Sequence, residues 1–133
     1  MADPETHVKT MNLIALETGS ELAVASTGVA YSKSFLVPNF DSAAIEFQFD
    51  SAAAVDVKVE IESGAVVPTT EGSADVANYG VGNTISSGIT TENTNWAAPA
   101  PTVSKYCRFK FTGQGSNAAS TKLTKLKLHY TSK

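Results

Sequence analysis

The chain has one cysteine, one tryptophan and two histidines among 133 residues, and no apolar run approaches the length of a membrane-spanning helix. Each shortage removes a class of protein. A lone Cys107 forbids an intrachain disulfide, and its shared register with Phe109 and Phe111 makes it a small core residue rather than a nucleophile. His7 and His129 stand at opposite ends of the sequence, so no histidine spacing suggests a metal centre. No Asn-X-Ser/Thr acceptor occurs, and the polar start MADPETHVKT shows no targeting pattern, so synthesis in a reducing cytosol is expected. Charge is scarce too, at 17% of residues with a net charge of −3. A net-negative chain without a basic patch does not displace counterions from phosphates, so neither nucleic acid nor membrane is expected as a partner. Lys122, Lys125, Lys127 and Lys133 make the last strand locally basic, which reads as a solvated face that resists edge-to-edge pairing.

What the chain does have is alternation. In AAIEFQFDSAAAVDVKVEIE (43–62), Ile45, Phe47 and Phe49 alternate with Glu46, Gln48 and Asp50. Then Val55, Val57, Val59 and Ile61 alternate with Asp56, Lys58, Glu60 and Glu62. Period-two patterning of this kind belongs to strands with one face in a core and one in water. The link Ser51-Ala52-Ala53-Ala54 is short enough for a hairpin loop, which is the expected connection. Val8–Leu16, Leu22–Ser26 and Val29–Val37 read as further strands, the last two forming a hairpin in which Gly28 would supply a positive φ. Pro38-Asn39 with Phe40-Asp41 breaks the pattern before the central pair.

Tyr106–Thr112 alternates again, with Cys107, Phe109 and Phe111 on one side and Tyr106, Arg108 and Lys110 on the other. In the final strand Leu126, Leu128 and Tyr130 share a face, while Leu123 is out of step, which predicts a bulge near Thr124. Residues 63–102 are rich in Gly, Pro, Ser, Thr and Asn, with Ala65–Val67 and Thr84–Thr90 as the strand candidates there.

No segment reads as a helix. The expectation is an all-β single domain over 1–133, an antiparallel β-sandwich of about seven to eight strands, with a jelly-roll-like order among its forms and residues 1–7 as a flexible or docking arm. An apolar content of 42% is enough for one core.

Reactive constellations are hard to find. The strand acids Glu46, Asp50, Asp56, Glu60 and Glu62 fall on faces turned to water, where pairing with Lys58, Arg108 or Lys110 explains them better than acid catalysis does. Glu71, Asp75 and Glu92 lie in loops without EF-hand spacing. The run Gly113–Asn117 joins two strands and precedes no helix, so it is a turn and not a phosphate loop. Tyr31, Tyr79, Trp96 and Tyr106 are the rings that would stack on a sugar if a carbohydrate-binding module were the answer.

The C-terminal third carries a resemblance. A lone Trp, a Pro-containing linker, a Tyr-X-Arg-Phe-Lys-Phe-Thr-Gly strand, a Gly-Ser-Asn-Ala turn and a last strand follow in order in NTNWAAPAPTVSKYCRFKFTGQGSNAASTKLTKLKLHY. With the preceding VKVEIESG, this resembles small β-sandwich virion structural proteins of tailed bacteriophages, over residues 43–130. The resemblance implies a non-enzymatic capsid decoration protein that binds the outside of the assembled head, with no cofactor and no metal. Its partners would be the major capsid protein, other virion proteins or sister copies, in an arrangement such as a trimer. A head–tail or tail accessory protein would carry the same features. Residues 1–14 and 63–102 would make the contacts. Tyr31, Tyr79 and Trp96 are the aromatic anchors of such an interface, although the same rings would serve equally in the core.

Overall fold

The computed structural model describes residues 8–12, 22–24, 27–36, 40–51, 54–70, 72–80, 83–90, 95–97, 105–118 and 120–132. Ten strand segments lie within them: β1 (Val8–Asn12), β2 (Leu22–Ala23), β3 (Val29–Tyr31), β4 (Phe35–Leu36), β5 (Phe40–Asp50), β6 (Val57–Gly64), β7 (Asn83–Ile89), β8 (Asn95–Ala97), β9 (Tyr106–Gly113) and β10 (Lys122–Ser132). Two of these, β2 and β4, are two-residue segments, which leaves eight strands of three residues or more and no helix among the described residues.

The strands form two antiparallel sheets. Sheet A has the order β1-β10-β5-β8, with β2 beside β10, and sheet B has the order β3-β9-β6-β7, with β4 beside β9. The segments β1 and β2 occupy one edge row of sheet A, and β3 and β4 one edge row of sheet B. Counted as eight rows, the first pairs the eighth, the second the seventh, the third the sixth and the fourth the fifth. That is the strand order of a jelly roll, two Greek keys folded face to face.

The alternating residues point where the sequence pattern puts them. Ile45, Phe47 and Phe49 of β5, Leu126 and Leu128 of β10, Val57, Val59 and Ile61 of β6, and Cys107, Phe109 and Phe111 of β9 form one buried core. The two sheets meet through Phe49 and Phe111, whose rings pack edge to face at 6.1 Å between centroids. The bulge near Thr124 is present, because Leu123 pairs Phe49 while Lys125 pairs Gln48.

The connections differ from expectation. Neither expected hairpin forms: β5 pairs β10 and β8 in sheet A, whereas β6 pairs β9 and β7 in sheet B. Likewise β2 joins sheet A and β3 joins sheet B. Alternation fixes which face a strand buries but not its neighbour, and two fully apolar stripes can cover each other across the sandwich as well as side by side. Thr27, not Gly28, takes the left-handed backbone (φ 56°) at the second crossing. Strand β5 begins at Phe40, inside the expected break, and Ala65–Val67 lie outside any strand, with bends at Ala65 and Val66. The short strand β8 around Trp96 was not anticipated.

Three crossings meet at one end of the sandwich, and two side-chain amides, the buried Asn117 and the half-buried Gln114, tie them together. Asn117 accepts a bond from the Asp56 amide (3.1 Å) and donates to the Val24 carbonyl (2.9 Å). Gln114 donates to the Asp56 carboxylate and to the Ser87 carbonyl, both at 2.9 Å. These bonds satisfy backbone groups that leave one sheet before they reach the other.

Candidate interaction surface

One patch of the outer face of sheet B is closed off from water. Arg108 points outward from β9, directly opposite Glu62 of β6, and a solvated pair would be normal there. Instead Arg108 is 0% exposed. Its Nε donates to Glu62 Oε1 at 3.0 Å and its Nη1 to the Ser73 carbonyl at 2.6 Å. The guanidinium carbon lies 3.9 Å from the Tyr31 ring centre and 4.7 Å from that of Tyr79. A planar, weakly hydrated cation suits a slot between two rings, and burial is tolerable because charge and donors are met.

What covers Arg108 is the loop from Ala65 to Asn78. An isolated bridge, Gly64 to Tyr79, and a bond from the Gly80 amide to the Ser63 carbonyl (3.1 Å) close its base, which makes it an Ω-loop. Gly64 is required there: a Cβ would come within 2.5 Å of the Asn78 carbonyl oxygen. Inside the loop Asp75 accepts from the Thr69 amide (3.0 Å) and from the Asn78 side chain (3.1 and 3.0 Å). The Asn78 amide group, and next the Thr69 backbone, hold the Asp75 carboxyl below its ordinary range.

This braced loop carries apolar side chains outward. Val66 is 49% exposed, Val67 54% and Val76 94%. The Thr69–Asp75 bond brings the Val67 and Val76 sides of the loop close together. Its charge has one sign. From residue 59 to 104 there is no Lys, Arg or His, while Glu60, Glu62, Glu71, Asp75 and Glu92 are acidic.

The outer face of sheet A is arranged differently. Glu46 of β5 receives His129 Nε2 at 2.8 Å and Lys125 Nζ at 3.3 Å, both from β10. Thr10 of β1 meets the other imidazole nitrogen, Nδ1, at 2.9 Å. The hydrogen bond from His129 lowers the Glu46 pKa most, desolvation partly opposes it, and Lys125 adds a further lowering. Hydroxyl, imidazole and carboxylate in series are the parts of a nucleophilic hydrolase site. Here they lie in a row across three neighbouring strands, β1, β10 and β5. The arrangement clips β1 to β5 across β10. β10 lies between β1 and β5, so its lysines guard no edge; they belong to a partly solvated face on which Lys125 is paired with Glu46.

The sequence-predicted residues fall into separate places. Tyr31 and Tyr79 come together on Arg108, Tyr79 buried at 5% exposure and Tyr31 half-buried. Trp96 is placed by its backbone opposite Glu46 on the sheet A edge, and its side chain lies outside the described residues. Tyr106, half-buried, has Lys105 Nζ 5.6 Å from its ring centre. Cys107 is in the core. Glu71, Glu92 and the arm 1–7 lie outside the described residues, and no group of three metal-capable side chains occurs among the described ones. Sequence reasoning missed the Arg108 slot and the Thr10–His129–Glu46 line, because cross-strand partners have no fixed spacing along the chain.

No family model, curated protein sequence or solved structure matches the chain.

Proposed function

We propose that the chain is a non-enzymatic structural protein of a tailed-phage virion, a decoration protein that binds the outer surface of the assembled head and stabilises it. The observation that carries this reading is the Ω-loop: three valines held in water by a loop whose underside is fixed by a buried arginine. Exposed apolar side chains on a fixed frame suit a contact surface, since a preorganised loop loses little entropy on binding. The C-terminal motif order resembles virion β-sandwiches, and a jelly roll accommodates contact loops without a reactive centre. The partners are the major capsid protein, other virion proteins and sister copies, and many copies on a symmetric lattice add weak contacts through avidity.

Mass spectrometry of gradient-purified particles tests this, with copies counted against the major capsid protein. Decoration predicts a copy number comparable with that of the capsid protein. A few copies per particle would move the protein to the neck or tail, and absence from particles would overturn the virion reading.

A further inference from the structure

We propose that Thr10 is a covalent modification site: its hydroxyl, activated by His129, accepts an acyl group from an activated ester or thioester. The proposal is independent of the virion reading, since a single acylation of the chain is a modification and not turnover.

Three side chains on the outer face of sheet A carry it. Thr10 stands directly opposite His129 in register, and its Oγ1 lies 2.9 Å from His129 Nδ1. His129 Nε2 lies 2.8 Å from Glu46 Oε1, and Lys125 Nζ holds the other carboxylate oxygen at 3.3 Å. Ala44 is the residue opposite His129 on β5, and its lone methyl leaves the ring free to reach Glu46. An ionised carboxylate only accepts, so Nε2 carries the proton of the neutral ring and Nδ1 is left to accept from the Thr10 hydroxyl. Nucleophile, base and the group that orients the base therefore stand in the order that activates a weak hydroxyl. Exposure runs the same way. Thr10 is exposed, whereas the His129 and Glu46 side chains are 23% and 14% exposed, so a reagent meets the hydroxyl with its base partly shielded behind it.

In the reaction Thr10 Oγ1 attacks the acyl carbon while its proton passes to His129 Nδ1, and Glu46 steadies the imidazolium. Collapse of the tetrahedral adduct expels an alkoxide or thiolate, which takes that proton from Nδ1 and departs as alcohol or thiol. Lys127, between the buried Leu126 and Leu128 and so on the same face as His129, adds positive charge to the patch where the oxyanion forms.

Treatment of the purified full chain with p-nitrophenyl acetate tests the proposal, with acetyl groups located by peptide mass spectrometry and folding checked by circular dichroism. Hydroxylamine sorts the products, because it cleaves an ester on Thr10 and spares amides on lysines. The wild type should gain a hydroxylamine-labile acetyl group on Thr10, and Thr10→Val should lose it. His129→Gly should slow this labelling by about a hundredfold, and imidazole added to the solution should restore it, as a merely structural role would not allow. His129→Gln, with the same slowing, replaces the glycine variant if that one unfolds. Glu46 is the positioning residue. Glu46→Gln keeps a hydrogen-bond acceptor for His129 but not the charge, and should slow labelling in a chain whose fold is unchanged. A wild type that gains only hydroxylamine-resistant acetyl groups would overturn the proposal, and so would labile labelling that survives Thr10→Val or is indifferent to the loss of His129.

Discussion

The two outer faces of the sandwich solve the same problem in opposite ways. Each has a cross-strand acid–base pair on the side away from the core: Glu62 with Arg108 on sheet B, Glu46 with His129 and Lys125 on sheet A. On sheet B an Ω-loop and two tyrosines close over the pair, so the arginine becomes the floor of a second, small interior. On sheet A the acid is nearly as covered as Glu62, but its cations Lys125 and His129 keep 34% and 23% of their side chains in water, against 1% for Arg108. Position on a strand therefore does not set the energetic weight of an ion pair. The cover does, because a charge stripped of water must keep every partner it has.

The contrast predicts unequal costs. Arg108→Ala should destabilise the protein by about 3–5 kcal/mol, because it leaves Glu62 beneath the loop without its counter-charge. Denaturant unfolding measures the change. Gly64→Ala should come next, at about 1–3 kcal/mol, since its Cβ must push the Asn78 carbonyl away and open the loop base. Glu46→Gln, whose cationic partners keep their contact with water, should fall below about 1 kcal/mol. An effect as large as that of Arg108→Ala would erase the distinction between the faces.

The smallest effect is a matter of pH. Glu46 and Asp75 both ionise more readily in the folded chain than carboxyls ordinarily do. Their contribution is complete above the unfolded values, about 4.3 for Glu and about 3.9 for Asp, and is lost as pH falls through the lower folded ones. Acid titration followed by thermal unfolding should show that loss. Glu46→Gln should flatten the part due to sheet A, and Asp75→Asn the part due to the loop.

Much of the core was legible from the sequence. The inward stripes of β5, β6, β9 and β10 follow from period-two alternation, and the Thr124 bulge from one leucine out of step. Pairing was not legible. An Ile-Phe-Phe stripe and a Val-Val-Ile stripe can be neighbours in one sheet or opposite walls of a core, and the choice is made by Phe49 meeting Phe111 some sixty residues away. The Arg108 slot was hidden for a related reason. Alternation correctly turned Arg108 away from the core, but outward normally means solvated, and the covering loop reads only as a Gly- and Thr-rich stretch. The sequence offers Tyr31 and Tyr79 as aromatic anchors of an interface, and in the fold both rings lie against this chain's own Arg108.

The central claim is that Arg108 holds the valine-bearing loop in place. Hydrogen exchange of the loop amides in the wild type and in Arg108→Lys tests it most directly, since lysine keeps the charge but loses the planar fork. The Thr69, Asn78 and Tyr79 amides, bonded to Asp75 in the intact loop, should exchange much faster in the variant while the β5 and β10 amides keep their protection. Equal loop protection in both proteins would contradict the claim, and the valines would then owe their position to something other than the buried arginine.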